Sequence, residues 1–417
     1  MKLLHTSDWH LGQNFFSTSR TTEAGEFLDW LINLIRAEHI DVLVVAGDIF
    51  DTQVPSNAAQ KQYFDFLYRV KTETPCEHIV VIGGNHDSPS LLNAPKDILK
   101  IANVHIFGSA ESDPINEVLL LKDREGNPLC VVGAVPFLRD REVRKSVIGE
   151  SDDSKADALK IGIKKHYQVV AQEMIRLKEK NLVPAVMTGH LHVAGTKLHE
   201  GDGVREPYIG NLLRLGTEIF DEVADYVALG HIHQPQIAGG QTHIRYSGSP
   251  YPMSFDEVKH QKSVVIVELE YSKPANIQLV PIPSFVDLVR LEGDLEYLRT
   301  KLAEFSQTGK KYLLDIVYTG TEHHSNLREA LTNKIDCTNL QILKIRDNAK
   351  RATLIQSKHS GESLDELSPE DVFERVLISK GIEASKQIPL KTLFRELLHR
   401  HMNPEEALGD SGNSLRK

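Results

Sequence analysis

The sequence predicts an α/β fold in which strands buried on both faces alternate with helices and carry a site along one edge. Three observations predict it. Short apolar, β-branched runs recur through the first two thirds of the chain, between stretches whose apolar residues return at helical spacing. Most of these runs stop at a glycine or a polar turn. The turns reuse the same residue types: aspartate, asparagine and histidine.

At 417 residues the chain exceeds one small core, which implies two or three domains, one of them large. Charged residues at 25% and apolar residues at 41% are those of an ordinary globular protein. No apolar run reaches membrane-spanning length, and Met1–His5 reads as a strand rather than a signal peptide, so a cytoplasmic location is expected. Cys76, Cys130 and Cys337 are widely separated and read as reduced structural thiols, outside any thiolate metal site. A formal net charge of -10 opposes unaided coating of nucleic acid, since that affinity comes mainly from cations meeting phosphates. Local basic clusters or a basic partner would have to supply the attraction.

Taken in order, residues 2–6 form a first strand that ends at Asp8-Trp9-His10. Asp8 and His10 are two apart, so in an extended segment they point to one side and can share an ion. Residues 23–38 place Phe27, Trp30, Leu31, Leu34 and Ile35 on one helical face. A second strand, 41–46, runs into Gly47-Asp48, with Asp51 close by as a supporting or turn residue. The helix expected over 56–71 carries Tyr63, Phe64, Phe66, Leu67 and Tyr68, more aromatic surface than one buried stripe requires. Core packing accounts for it, and so does a subunit contact. The third strand, Ile79–Ile82, stops at two glycines that let the backbone turn sharply or approach a ligand closely, and Asn85, His86 and Asp87 follow. Next come a helix over 91–102, a strand over 104–107, a hairpin pairing 118–121 with 129–135, and an exposed polar loop over 146–158.

The second half repeats the device. A helix over 161–179 leads to a strand over 184–188 that ends at Gly189-His190-Leu191-His192, and a strand over 226–229 ends at Gly230-His231-Ile232-His233. A single histidine is usually structural. Two Gly-His-x-His turns behind apolar strands, added to three acidic or amide turns, point instead to metal. A strand over 263–270 closes the large domain, given the bounds 1–272, and Pro274, Pro281 and Pro283 mark its boundary. Residues 284–347 alternate strand, helix, strand, helix, strand as a small separate α/β module, and 348–362 form a basic linker. Over 363–402 two short helices present Val372, Phe373, Val376 and Leu377 on one face and Leu390, Leu393, Phe394, Leu397 and Leu398 on another. This helical hairpin reads equally as a cap on the module or as a docking surface for a partner's helices. Residues 403–417 read as a disordered tail.

Asp8, His10, Asp48, Asn85, His190, His231 and His233 mix hard oxygen donors with imidazoles, a set suited to manganese, iron or zinc. They are too many for one ion. Two ions sharing a carboxylate would use them all, the arrangement of two-metal hydrolysis at phosphorus. His86 is then free to steady developing charge or protonate a leaving oxygen, and Asp87 is expected to orient it. His192, two residues from His190, is left unassigned.

The order Asp-x-His at 8–10, Gly-Asp-x-x-Asp at 47–51, Gly-Asn-His-Asp at 84–87, Gly-His at 189–190 and Gly-His-x-His at 230–233 resembles that of the calcineurin-like metallophosphoesterases, over residues 1 to about 270. The runs Leu4–Gly12, Val45–Asp51, Ala228–His233, Tyr246–Pro250 and Ser254–Glu257 are similar to the DNA nucleases of that family, and the likeness spans nearly the whole chain. The resemblance implies a four-layer αββα sandwich, α/β (α+β) in class, with a small α/β capping domain that binds DNA and a C-terminal helical hairpin. It implies Asp8, His10, Asp48 and His233 on one ion, with Asp48 bridging to a second held by Asn85, His190 and His231, and His86 as the catalytic residue. Manganese, a homodimer formed through helices near the site, and an SMC-like coiled-coil ATPase gripped by the C-terminal helices to give a heterotetramer are implied as well. The implied activity is ATP-dependent double-strand exonuclease (3'–5') and single-strand or hairpin endonuclease action in DNA repair, recombination and replication.

The alternative on the same scaffold is a phosphatase or small-molecule phosphodiesterase. Against the phosphoprotein phosphatases, Asp51 is followed by Thr52-Gln53 instead of arginine-glycine, and the third motif closes in Asp87 instead of glutamate. A non-catalytic scaffold would have lost ligands. Here none is missing.

Overall fold

The computed structural model describes residues 1–144, 151–196, 215–220, 223–322, 326–333 and 335–347, and isolated positions between 373 and 394. The chain opens with β1 (Lys2–Thr6), a short hairpin of β2 (Asn14–Phe15) and β3 (Thr18–Ser19), and α1 (Thr21–Ala37). It continues through β4 (Val42–Ala46), α2 (Asn57–Glu73), β5 (His78–Ile82), α3 (Pro89–Asn93), α4 (Lys96–Lys100) and β6 (Val104–Phe107). β1, β4, β5 and β6 are parallel neighbours in one six-stranded sheet. A second six-stranded sheet starts with the hairpin β7 (Val118–Lys122) and β8 (Pro128–Gly133). After α5 (Asp140–Val143) and the long α6 (Asp152–Asn181) it adds β9 (Ala185–His190), β10 (Tyr226–Gly230), β11 (Gln236–Ala238) and β12 (Gln241–Tyr246). The chain then returns to the first sheet, where β13 (Ser263–Glu268) lies antiparallel to β1 and β14 (Asn276–Pro281) antiparallel to β13.

Alternation along each strand explains the packing. In the first sheet Leu3, Val42, Val44, Val80, Ile82, Val265 and Val267 meet Cys130, Val132, Val186, Tyr226 and Ala228 of the second sheet in one core. The intervening residues Leu4, Leu43, Val45, Ile79, Val81, Val264 and Ile266 pack instead against Phe27, Leu31 and Ile35 of α1 and Phe66 and Val70 of α2. On the second sheet Val131, Ala185, Met187, Val227 and Leu229 pack against Ile163, Tyr167, Val170 and Met174 of α6. Strands with helices on one side and a sheet on the other have no wet face, so they read as unbroken apolar runs. His5 is a polar residue buried between the sheets: its Nδ1 lies 2.9 Å from the Tyr226 hydroxyl, and burial pushes its pKa down to about 3.

The α/β class is as expected, and several local readings need correction. The helix expected over 91–102 is two short helices, α3 and α4, broken at Pro95, which has no N–H to donate and crowds the preceding turn. The loop expected over 146–158 ends early: α6 starts at Asp152, where the Ser151 side chain accepts from the Ser154 N–H at 3.2 Å and caps it. Residues 145–150 lie outside the described residues. The large domain does not close at 272, because β14 pairs with β13 from Asn276 to Pro281. Proline is tolerated there because β14 is an edge strand.

Beyond β14, β15 (Val286–Gly293), α7 (Leu295–Ser306), β16 (Lys311–Tyr318), α8 (Leu327–Thr332) and β17 (Leu340–Asp347) build a three-stranded parallel sheet with β16 in the centre. Asp294 and Asn326 cap α7 and α8 through bonds from the Tyr297 and Glu329 N–H groups. Leu288 and Leu313 of this module pack on Phe15 of the β2–β3 hairpin, and Gln341 donates to Thr18 Oγ1 at 2.6 Å. Residues 348–417 form a separate unit. Within it the rings of Phe373 and Phe394 stack with centroids 4.1 Å apart, one from each expected helix. The expected linker 348–362, the tail 403–417 and most of 363–402 lie outside the described residues. No helix among the described residues is long and apolar enough to cross a membrane.

Candidate metal centre

The site forms where the carboxyl ends of the two sheets touch, the edge at which parallel α/β sheets place their chemistry. The His190 Nδ1–H, at the end of β9, donates to the Ala46 carbonyl at the end of β4 at 2.9 Å. The His231 N–H, after β10, donates to Asp8 Oδ1, after β1, at 2.9 Å. Two glycines permit this approach. A Cβ on Gly230 would run into the Ala46 carbonyl, and one on Gly84 would overlap the Asp48 carboxylate. The chain bends hard at the same places: Asp8 (φ 53°), His10 (47°), Asp48 (50°) and His231 (100°) all lie at positive φ. Such backbone costs on the order of 1–3 kcal/mol per residue and survives where the surroundings over-determine it, typically at functional sites.

All seven donors expected from the sequence come together, and His86 joins them. Donor atoms of Asp8, His10 and His233 lie within 4.8 Å of one another, as do those of His10, Asp48 and His86 and those of Asp8, Asp48 and His190. Asn85 Oδ1 lies 3.0 Å from both His190 Nε2 and His231 Nδ1, which ties those two rings to it. Asp48 sits between the groups. Its Oδ2 is 3.7 Å from His10 Nε2 and 3.3 Å from His190 Nε2, while its Oδ1 accepts the His86 N–H at 2.9 Å. His192 belongs to none of these donor groups.

The donor chemistry fits divalent ions. His190 gives its Nδ1–H to Ala46, so its Nε2 lone pair faces Asp48 Oδ2 and Asn85 Oδ1, three acceptors around one point. His10 Nδ1 faces Asp51 Oδ1 at 3.3 Å and His233 Nδ1 faces Glu257 Oε1 at 3.5 Å, while the two Nε2 atoms meet at 3.2 Å. Acceptors converge in this way only around positive charge, either a proton or a cation. Burial opposes protonating His190, yet Asp48 carries its pKa up to about 9. Burial likewise opposes charge on His10, and Asp51, Asp48 and Asp8 outweigh it and raise its pKa. Burial opposes charge on Asp48 too, but His190, His10 and His86 hold its pKa well below the carboxylate range. The ring nitrogens turned away from the centre rest on carboxylates or a carbonyl, as they do behind metal-bound histidines.

His86 is held differently. Its Nδ1 is 2.7 Å from the Asp51 carbonyl, so that nitrogen carries the proton and Nε2 is left as the ring's acceptor. Burial lowers its pKa, and Asp48 only partly offsets that. Asp87 does not orient it, contrary to expectation. The Asp87 carboxylate accepts from the N–H groups of Gly84 (2.8 Å), Phe50 (2.9 Å) and Ile49 (3.2 Å), clamping the turn after β5 to the turn after β4. Asp51 takes the orienting part for both His10 and His86.

Several supporting residues lie outside the set expected from the sequence. The Arg139 guanidinium donates to the carbonyls of Asp87 (3.0 Å) and Gly84 (3.4 Å) behind the asparagine-histidine turn. Ser7 Oγ donates to Asp8 Oδ2 at 2.5 Å and meets Ser247 Oγ at 2.8 Å. The Tyr246 hydroxyl donates to the Leu191 carbonyl and accepts from the Val193 N–H, bracing the turn after β9. Glu257 and Lys262 stand behind His233. Ser247 and Glu257 fall within runs already singled out by resemblance; Arg139 and Lys262 carry no local signal.

Residues 1–235 match the calcineurin-like phosphoesterase family, and residues 284–380 match the family described as type 5 capsule protein repressor C-terminal domain. Fold and donor cluster thus define a metal-dependent phosphoesterase. The chain is similar to the D subunit of the nuclease SbcCD from Escherichia coli K12, 35% identical over 98% of this chain and all of that one. Similar too are the proteins of that name from Bacillus subtilis strain 168 (33% identical, 70% of this chain and 72% of that one) and Rhodobacter capsulatus (32%, 70% and 71%). The chain belongs to the SbcD family, the D subunits of SbcCD nucleases.

Proposed function

We propose that this chain is a manganese-dependent DNA nuclease, cutting phosphodiester bonds as an ATP-dependent 3'–5' exonuclease on double strands and as an endonuclease on single strands and hairpins. The observation that carries the site reading is Asp48 Oδ2 lying between His10 Nε2 and His190 Nε2. One carboxylate oxygen serves both halves of the cluster. Asp8, His10, Asp48 and His233 would hold one ion and Asp48, Asn85, His190 and His231 the other. Bound there, two divalent ions supply an acidified attacking water and positive charge for the phosphoryl oxygens. The oxygen-rich, sulfur-free donor set supports manganese.

His86 stands beside the cluster, its ring centroid 4.8 Å from that of His10, with Nδ1–H anchored on the Asp51 carbonyl. In this reading it presents Nε2 to the scissile phosphate and, protonated in the anionic field of the substrate, donates to the leaving oxygen. The cleft between loop 250–262 and β15, lined by Lys259, His260, Gln261, Ser284 and Tyr312, supports DNA contact by the small module. Val54, Tyr68, Ile98 and Ile101, in the loop before α2, on α2, on α4 and just beyond it, are each more than two thirds exposed, which supports a homodimer through these helices. The family's name supports a partner of the SbcC type, an SMC-like coiled-coil ATPase docked on residues 363–402, in a heterotetramer working in the cytoplasm on DNA repair, recombination and replication. Such a partner would bring the cations that a chain of net charge -10 lacks.

Purified protein with manganese should degrade linear DNA, and Asp48→Ala and His86→Gln should not. Undiminished cutting by a folded Asp48→Ala protein would sink the site reading.

A further inference from the structure

The stretch Tyr246–Glu257 stood out in the sequence, and the metal ligands leave most of it without a part. In the structure it runs behind His233. The His233 carbonyl accepts from the Ser249 N–H at 3.1 Å, from Lys262 Nζ at 2.8 Å and from Ser249 Oγ at 3.4 Å. Its ring Nδ1 faces Glu257 Oε1 at 3.5 Å, and the other carboxylate oxygen accepts from Lys262 Nζ at 2.6 Å. Lys262 also donates to Ser249 Oγ at 2.9 Å. Glu257 is 1% exposed and Lys262 4%, so two opposite charges are buried together behind one histidine.

Such a pair contributes little to stability alone, because desolvating two ions costs about as much as their attraction gains. The geometry gives it another use. We propose that Glu257 and Lys262 are positioning residues for the ion held by Asp8, His10 and His233. The Glu257 carboxylate, with Oε1 3.5 Å from His233 Nδ1, draws the ring proton to that nitrogen by its charge and so favours the tautomer whose Nε2 lone pair points at His10 and the centre. Lys262 balances the Glu257 charge and aims its carboxylate, and fixes the His233 main chain through its carbonyl. Behind His190, among the described residues, the Nδ1–H rests on a main-chain carbonyl instead. The two halves of the cluster are thus built differently: a buried ion pair stands behind His233 and a main-chain carbonyl behind His190.

This inference rests on the reading that the cluster holds two ions, and the test separates the two. Manganese stoichiometry and affinity are measured by titration, following free ion by electron paramagnetic resonance, with urea unfolding as the check on folding. The wild-type chain should take up two ions; uptake of none overturns the two-ion reading and this inference with it. Two double variants remove the charges together and so leave no lone buried ion. Glu257→Met with Lys262→Met abolishes the acceptor and should weaken one of the two ions by roughly 10–100-fold, the usual effect of losing the partner behind a metal-bound histidine. Glu257→Gln with Lys262→Met keeps an acceptor oxygen behind His233 but loses the Lys262 bonds, and should weaken that ion clearly less than the methionine pair does. In the zinc-loaded protein, nitrogen-15 shifts should report His233 bound through Nε2 and protonated at Nδ1 in the wild type and the glutamine variant. Two tight ions in the folded methionine variant, or equal loss in both variants, would overturn the proposal.

Discussion

The Nε2 atoms of His10 and His233 lie 3.2 Å apart although 223 positions separate them in the chain. One follows the first strand of the first sheet and the other follows a strand of the second, so the donor group exists only when the sheets are closed on each other. With two ions expected in the wild type, His233→Ala should therefore leave one tightly bound manganese per chain and should weaken the other about a hundredfold or more. Metal analysis after gel filtration reads the first result and titration the second.

Asp87 is buried and satisfies three main-chain donors from two turns. Asp87→Ala would strand them, and each unsatisfied buried donor costs about 1–3 kcal/mol when relaxation and water do not rescue it. A loss of roughly 2–4 kcal/mol in urea unfolding is expected. Asp87→Asn, which keeps one acceptor oxygen, should lose less. Unchanged stability in the alanine variant would count against the clamp.

His5 supplies a pH dependence away from the metal ligands. Its folded pKa is about 3, against about 6.5 unfolded, so the unfolded chain takes up the proton first. Its contribution is complete above pH 6.5 and is lost as the pH falls toward 3, at up to about 1.4 kcal/mol per pH unit. Urea midpoints between pH 7.5 and 5.5 should fall less steeply for His5→Gln than for the wild type. Parallel slopes would mean that the buried ring does not govern this range.

The strands were legible because sheets covered on both sides demand unbroken β-branched runs, as at Val42–Ala46 and Ile79–Ile82. The ligands were legible because five strand ends carry them in a fixed order. What escaped depends on distant partners. Asp87 looks like the neighbour of His86, and only the fold shows that its oxygens reach Ile49 and Phe50. Lys262 sits near the start of β13, and nothing local says that its amine points back to the His233 carbonyl. The early start of α6 was hidden by a polar first turn, which reads as loop until Ser151 is seen to cap it. Pro95 is a visible break, outweighed in the sequence by the apolar spacing on either side.

The exposed apolar side chains of Val54, Tyr68, Ile98 and Ile101 predict self-association. Tyr68→Glu combined with Ile98→Glu should convert a dimer to a monomer by light scattering, leaving manganese binding intact. A wild-type protein that is monomeric at micromolar concentration would remove this reading.

Truncation after Ser363 should abolish co-purification with the coiled-coil ATPase and leave manganese uptake unchanged. Phe373→Ala should weaken co-purification in the full chain, since its ring stacks on Phe394. Undiminished association of the truncated chain would reassign those helices to a merely local cap.

The division of ligands between the two sheets has a consequence for synthesis. A nascent chain that has emerged through β6 carries Asp8, His10, Asp48 and Asn85 but none of the histidines at 190, 231 and 233, and β1 still lacks its neighbour β13. A fragment of that length thus holds an incomplete donor set. The full donor set exists only once residue 233 has been made, and the sheet that carries its first half is closed around β1 only when β13 has joined it.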